Sequence, residues 1–279
     1  IFDNDHIPRR SFLLRTLPHL LADDRVAFVQ TPQHYRNDRT FIAGGSSEMQ
    51  RMFYRHIQPG KNAFGAAFCV GTNVLFRRSA VDAIGGIYEK SNSEDIWTSL
   101  LLHERGWKSL FVPEVLADGL APETLGAFYR QQYRWARGGL EIFLLHNPLL
   151  RRLDADQKFQ YFHTTMHYLG GVAVLFFYLL PLLYAYAGLR PLDAEFAAWA
   201  LHAVPYYLFF VLSVCMLHGS VPSWRTFVMG IAAFPSHIAS LLSVLTGANL
   251  QWKATGRIEK LTDYIGAVSP HLILLLLSI

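Results

Sequence analysis

The sequence is poor in charge: Asp, Glu, Lys and Arg make up 16% of 279 residues, where a water-soluble domain carries about 25%. That argues against a wholly soluble protein. Cysteine is scarcer still. Cys69 and Cys215 lie in different parts of the chain, Cys215 inside an apolar run, which excludes a disulfide framework. No internal repeat and no low-complexity stretch occurs. Neither sign of charge dominates. The net charge of +4 is too modest and too dispersed to argue for nucleic acid, and it suits a membrane or an anionic small substrate equally. What is plentiful is apolar surface. Hydrophobic residues reach 52%, enough to exclude a disordered chain.

The charges are unevenly placed. Of 25 basic and 21 acidic residues, nine fall in 166–279 and 37 in 1–165. Residues 1–150 therefore read as a water-soluble domain and 151–279 as a membrane domain. Residues 159–189 hold no Asp, Glu, Lys or Arg, and their core, Tyr168–Ala187, is long enough to cross about 30 Å of hydrocarbon. Spans are expected at about 166–188, 196–217 and 264–279, with Tyr168, Tyr184, Tyr186 and Trp199 as interfacial anchors.

The uncharged stretch 226–252 behaves differently. Phe227, Ile231, Phe234, Ile238, Leu241 and Leu245 fall on one helical stripe. Ser236, Ser240 and Ser243 fall on another, and Pro235 and His237 interrupt the middle. The pattern predicts a helix over about 226–247 lying in the membrane interface. Charge agrees. Arg151, Arg152 and Lys158 precede the first span and are expected in the cytoplasm. Lys253, Arg257 and Lys260 stay on that side only if 226–247 does not cross.

In the soluble part, Arg25–Gln30, Ala66–Phe76 and Lys108–Val112 read as strands. Ser93–Gly106 reads as a helix with Ser93 as N-cap, and Pro122–Leu145 as a longer one. The alternation predicts an α/β fold with a largely parallel sheet, whose ligands bind beyond the strands' carboxyl ends. Three polar clusters follow in order. Asp3-Asn4-Asp5-His6 offers two carboxylates able to share a hard divalent cation with a diphosphate, though alone it suits an acidic surface turn at least as well. Glu94-Asp95 opens a helix, where acids also simply favour the dipole. Gln131-Gln132-Tyr133-Arg134-Trp135 sets a guanidinium, which can pair with a diphosphate, beside an indole on which a sugar can stack. Its alternative is a surface helix with Arg130, Arg134 and Arg137 snorkelling.

Taken together, these clusters and the helices behind them resemble the processive family 2 glycosyltransferases, most closely those of the bacterial cellulose synthase type. Asp3–Pro8 is similar to the family's D-x-D-H-x-P segment and Val29–Gln33 to its V-Q-T-P strand end. Phe68-Cys69-Val70-Gly71 with Leu75-Phe76-Arg77-Arg78 resembles F-C-x-G and its L-R-R ending. Ser93-Glu94-Asp95 stands where the family has T-E-D, and Gln131–Trp135 fits Q-Q/R-x-R-W without a mismatch. Trp252–Arg257 looks like a degraded F-x-V-T-x-K gating loop, with Trp for Phe, Ala for Val and Arg for Lys.

The resemblance implies a partial GT-A, Rossmann-like α/β domain followed by transmembrane helices. It implies inverting, processive transfer of a sugar, glucose from UDP-glucose, to a growing β-linked polysaccharide. Asp95 is then the base, with Glu94 beside it, and Asp5 and Asp3 hold Mg²⁺ or Mn²⁺. Asp3, Cys69, Gln131, Gln132, Arg134 and Trp135 bind substrate, joined by Thr255 and Arg257 of a gating-like loop at 250–258. His6 serves the turn without a catalytic role. The expected partners are a nucleotide sugar, the glycan acceptor, the bilayer and accessory subunits, but no nucleic acid. The expected location is the plasma (inner) membrane, multi-pass, with the catalytic domain in the cytoplasm. The alternatives are a chitin-, hyaluronan- or mannan-like synthase, single-sugar transfer to a lipid, and a non-catalytic transporter. Beginning at D-x-D and ending in an apolar run, the sequence reads as a fragment. An acidic residue that the family carries upstream for the nucleotide base is then expected to be missing.

Overall fold

The computed structural model describes residues 1–190, 192–218, 223–248 and 261–278. A short strand, β1 (Ile7–Pro8), leads into α1 (Phe12–Ala22) and then β2 (Val26–Gln30). Next come α2 (Phe41–Met52), a π-helical turn (Phe53–Ile57) and α3 (Gln58–Ala63). β3 (Val74–Phe76), α4 (Arg78–Ala83), α5 (Glu94–Glu104), β4 (Lys108–Phe111) and β5 (Ala117–Asp118) follow. β2 is the central strand of a three-stranded sheet ordered β3-β2-β4, and β1 pairs antiparallel with β5.

The α/β character is as expected, but the sheet is not largely parallel. β2 runs parallel to β4 and antiparallel to β3. Nor is 66–76 a full strand; only Val74–Phe76 forms a ladder. The reason lies in β2. The buried Gln30 amide donates to the carbonyls of Thr31 and Thr72 (both 2.8 Å) and accepts from the Val70 N–H (3.1 Å). A side chain thus satisfies backbone that a neighbouring strand would otherwise pair. The freed segment turns through Gly71 (φ +83°) and Asn73 (φ +56°), which a strand cannot do.

The core beneath the sheet joins Ala27, Phe28, Cys69, Val74 and Leu102. Each large side chain such as Phe28 contributes about 1.5–3 kcal/mol through burial. A second cluster of Phe68, Trp97, Leu100, Ile142 and Tyr161 welds α5 to α6 (Leu125–Leu145) and α7 (Ala155–Met166). His103 reinforces the weld. Ser109 donates to the Ala67 carbonyl (2.6 Å), so it accepts from His103 Nε2 (2.9 Å), and Nδ1 in turn accepts from Tyr161 Oη (2.8 Å).

α7 passes through a 3-10 turn into α8 (Gly170–Ala187), making one apolar rod from Ala155 to Ala187. α9 (Phe196–His218) and α12 (Leu261–Leu277) complete the expected apolar helices. Their outward residues, among them Phe177, Tyr186, Leu201 and Phe209, are exposed, surface that lipid would cover.

The expected helix at 226–247 is two, α10 (Trp224–Ala232) and α11 (Phe234–Thr246). Pro235 stands in the first turn of α11, where its missing N–H costs nothing. Together they are also long and apolar enough to cross a membrane, by length and composition only. Ser236, Ser240 and Ser243 are buried, while Phe227, Ile231 and Leu245 face outward. Phe234, part of the predicted apolar stripe, is instead buried, its ring against those of Tyr178 and His271. α11 lies along α6, Ser240 donating to the Tyr133 carbonyl (2.9 Å). α10 lies on α2, whose Glu48 accepts from Ser223 and from Thr226 (2.6 Å).

Candidate active site

Ile1 lies against β3, its terminal amine donating to the Val74 carbonyl (2.8 Å). The turn that follows is closed by the His6 N–H on the Asp3 carbonyl (3.0 Å) and pinned by the Asp3 N–H on Thr72 Oγ1 (3.0 Å). It gathers one ligand atom each from Asp3, Asp5 and His6 within 4.8 Å of one another. Burial raises the Asp3 pKa, whereas the His6 hydrogen bond lowers that of Asp5. His6 is therefore more than a turn residue. It is buried, it contacts Asp5 (3.3 Å), and a methyl at Gly119 would overlap its ring. Two carboxylates at an open turn, one held ionised, fit a hard divalent cation that keeps most of its coordination for other oxygens.

Glu94 and Asp95 start α5. One Asp95 oxygen accepts from the Ile96 N–H (2.8 Å), a helix N-terminal donor. The other looks toward Gly71, where an added Cβ would stand 3.6 Å from Asp95 Oδ2 and 3.7 Å from Glu94 Oε1. A side chain there would stand in van der Waals contact with both carboxylates, and the positive φ of +83° favours the glycine that leaves that position bare. Burial, and then the charge of Glu94, push the Asp95 pKa up to about 7. Cys69 is held below this loop by its N–H on Ser99 Oγ (2.7 Å). Its thiol is buried in the core, its pKa raised by that burial, and it accepts from the Gly71 N–H (3.4 Å).

α6 brings the third cluster. Thr124 caps it by accepting from the Ala127 N–H (3.2 Å). Gly138, one turn beyond Arg134, lets Ser93 approach so closely that a methyl at 138 would overlap the serine hydroxyl. The amino end of α5 is thereby pressed onto the face of α6 that carries Arg134. The Arg134 charge lowers the pKa of Asp3, Asp5 and Asp95 alike, so one guanidinium lies within electrostatic reach of all three carboxylates. Gln131 hydrogen-bonds the buried Tyr35, whose hydroxyl donates to Gln33 Oε1 (2.9 Å). Trp135 is half-buried and Gln132 buried. Thr255 and Arg257 lie outside the described residues.

The structure therefore brings together Asp3, Asp5, Glu94, Asp95, Gln131 and Arg134, and sets Cys69 behind them. Tyr35 was not foreseen. An aromatic two residues past Pro32-Gln33 carries no periodic signal, and its role depends on a contact with residue 131.

The sequence profile of glycosyl transferase family group 2 matches residues 1–214. A putative cellulose synthase 2 of Komagataeibacter xylinus is 35% identical over 231 residues, covering 81% of this chain and 15% of its own. Cellulose synthase 1 of the same organism is 31% identical over 288 residues, 98% of this chain and 18% of its own. A cellulose synthase catalytic subunit (UDP-forming) of Komagataeibacter sucrofermentans is 33% identical over 212 residues, 74% of this chain and 28% of its own. The chain thus spans between about a seventh and just over a quarter of these relatives' length.

Proposed function

The chain belongs to the family 2 glycosyltransferases, and from that we propose that it transfers glucose from UDP-glucose, with inversion, onto a growing β-linked glycan. The observation that carries this reading is that Asp3, Asp5 and Asp95 all lie within electrostatic reach of the Arg134 guanidinium. A dianionic leaving group needs positive charge, an acceptor hydroxyl needs a base, and both must act at one place.

Asp95 takes the proton from the acceptor hydroxyl as that oxygen attacks the anomeric carbon. Its pKa near 7 suits a base that must be ionised and still hold a proton at neutral pH. Glu94 maintains that value by like-charge repulsion. Gly71 sets no side chain against the two carboxylates on the side where the sugar would lie. Arg134 stabilises charge on the departing diphosphate, and Gln131, fixed by Tyr35, lines the same side. Trp135 offers the acceptor sugar a stacking face, which aims its hydroxyl. Asp3 and Asp5 would hold the divalent cation, Mg²⁺ or Mn²⁺, with His6 behind them. The cation's contribution is Lewis-acid neutralisation of the diphosphate.

Residues 1–150 form the catalytic domain in this reading and 151–279 the membrane domain, the catalytic side facing the cytoplasm at the plasma membrane. α10 and α11 lie in the interface, since α10 is tied to α2, the serine face of α11 seals onto α6, and Phe227, Ile231 and Leu245 look out. A transporter is disfavoured because His202 is the sole ionisable group besides tyrosine hydroxyls and a cysteine thiol within 168–187 and 196–217. The test is to incubate membranes containing the full-length protein with labelled UDP-glucose, UDP-N-acetylglucosamine, UDP-glucuronate and GDP-mannose. Polymer labelled from UDP-glucose is expected. Polymer from another donor corrects the sugar, and no incorporation from any of them overturns the proposal.

A further inference from the structure

Behind the carboxylates runs a second, polar line of contacts that the chemistry above does not use. It begins where α11 ends. Ser243 donates to the Ala248 carbonyl (2.6 Å) and accepts from Arg137 Nε (3.2 Å). Arg137 Nη1 donates to Glu141 Oε2 (2.9 Å), one turn further along α6. The same carboxylate oxygen accepts from Ser91 Oγ (3.5 Å), and Ser91 Oγ accepts from the Ser93 N–H (3.3 Å). Every donor has an acceptor, and the line is continuous from Ala248 to the N-cap of α5. Its central pair is largely sequestered, with 11% and 18% of the two side chains exposed, so salt screens it poorly.

We propose that the Arg137–Glu141 pair is a positioning device that couples the carboxyl end of α11, at Ala248, to the amino end of α5, which carries Glu94 and Asp95. The rigid contact of Ser93 with Gly138 fixes how near α5 stands to α6. The polar line sets how the turn before α5 is held, and it ties that turn to whatever the chain does after Ala248. A displacement at Ala248 frees the Ser243 hydroxyl, loosens Arg137 and weakens the grip of Glu141 on Ser91. The inference rests on Asp95 as the proton acceptor.

Removing Glu141 outright would strand the Arg137 charge and risks unfolding, so the test uses the two ends of the line. In the full-length protein, Ser243→Ala is expected to speed amide exchange in 91–97, and Ser243→Thr, which keeps the hydroxyl, to restore it. Ser243→Ala and Ser91→Ala are each expected to lower kcat about three- to tenfold, with KM for the nucleotide sugar unchanged within about twofold. The double variant should be no slower than the slower single, because the line is already cut. Independent sites would instead multiply their losses. Exchange in 91–97 that ignores Ser243→Ala overturns the coupling whatever the chemistry, and multiplying losses in kcat overturn its reach to the reaction. If the wild-type protein turns over no nucleotide sugar, the functional reading falls and the exchange measurement alone decides the coupling.

Discussion

Burial and the neighbouring charge of Glu94 both disfavour the ionised form of Asp95, which raises its pKa to about 7 and suits the proposed role of base near neutrality. Asp95→Asn is expected to lower transfer by about 10²–10⁴-fold while leaving donor binding intact, measured by turnover beside nucleotide-sugar titration. A carboxyl whose pKa is raised by folding adds stability at low pH and loses it as pH climbs through about 7. The same variant should therefore raise the melting midpoint at pH 8 and leave it nearly unmoved at pH 3, below the ordinary carboxyl value of 3.8. Glu94→Gln removes the like charge, so the Asp95 pKa falls and the acid limb of the kcat–pH profile moves to lower pH. A limb that moves up or stays would remove Glu94 from that role. At the neighbouring turn, excess EDTA should stop turnover and added Mg²⁺ or Mn²⁺ restore it. Undiminished activity in EDTA would contradict cation binding at Asp3 and Asp5.

At the level of elements, α6 is the beam on which the site is hung, and Gly138 is where α5 rests on it. Gly138→Ala collides with Ser93 and should cost about 1–3 kcal/mol as overpacking, with kcat falling more than KM rises. Pairing it with Ser93→Gly, which clears the space, should recover most of the rate; no recovery would mean the contact is incidental. These elements were only partly legible. α5 announced itself through Ser93 at its start, which holds the N-cap position without a side-chain cap hydrogen bond, α6 read as a helix over 122–145, and the D-x-D, E-D and Q-Q-x-R-W clusters stood out through dense polar chemistry. The strand expected at 66–76 failed because the Gln30 side chain takes over its pairing, a substitution no local pattern reveals. Arg137, which suited a snorkelling arginine, turned inward to Glu141 and Ser243, since i,i+4 spacing allows a pair without saying which side it faces.

For the whole molecule, charge distribution alone divided the chain into a polar and an apolar part, and the described helices long and apolar enough to cross a membrane all follow residue 154. What sequence could not supply was the orientation of α10 and α11, whose serine face finds its partner only once α6 is in place. If α11 lies in the interface, its end stays with the catalytic domain. Ala248→Cys should then be modified by an impermeant thiol reagent in inverted vesicles and not in intact cells. Labelling from outside the cell would mean that α10 and α11 cross.

Glycines also let neighbouring helices mesh. A methyl at Gly139 would come within 2.7 Å of the Tyr168 ring, and one at Gly171 would collide with the His237 side chain. Surfaces meshed that closely cannot slide. If the chain elongates a glycan as proposed, the polymer then advances past a fixed seam, not by α6 rocking against the turn that carries Tyr168. Chemical stapling across the Gly139–Tyr168 seam should therefore leave elongation running, and a stall on stapling would show that the seam itself is the moving part.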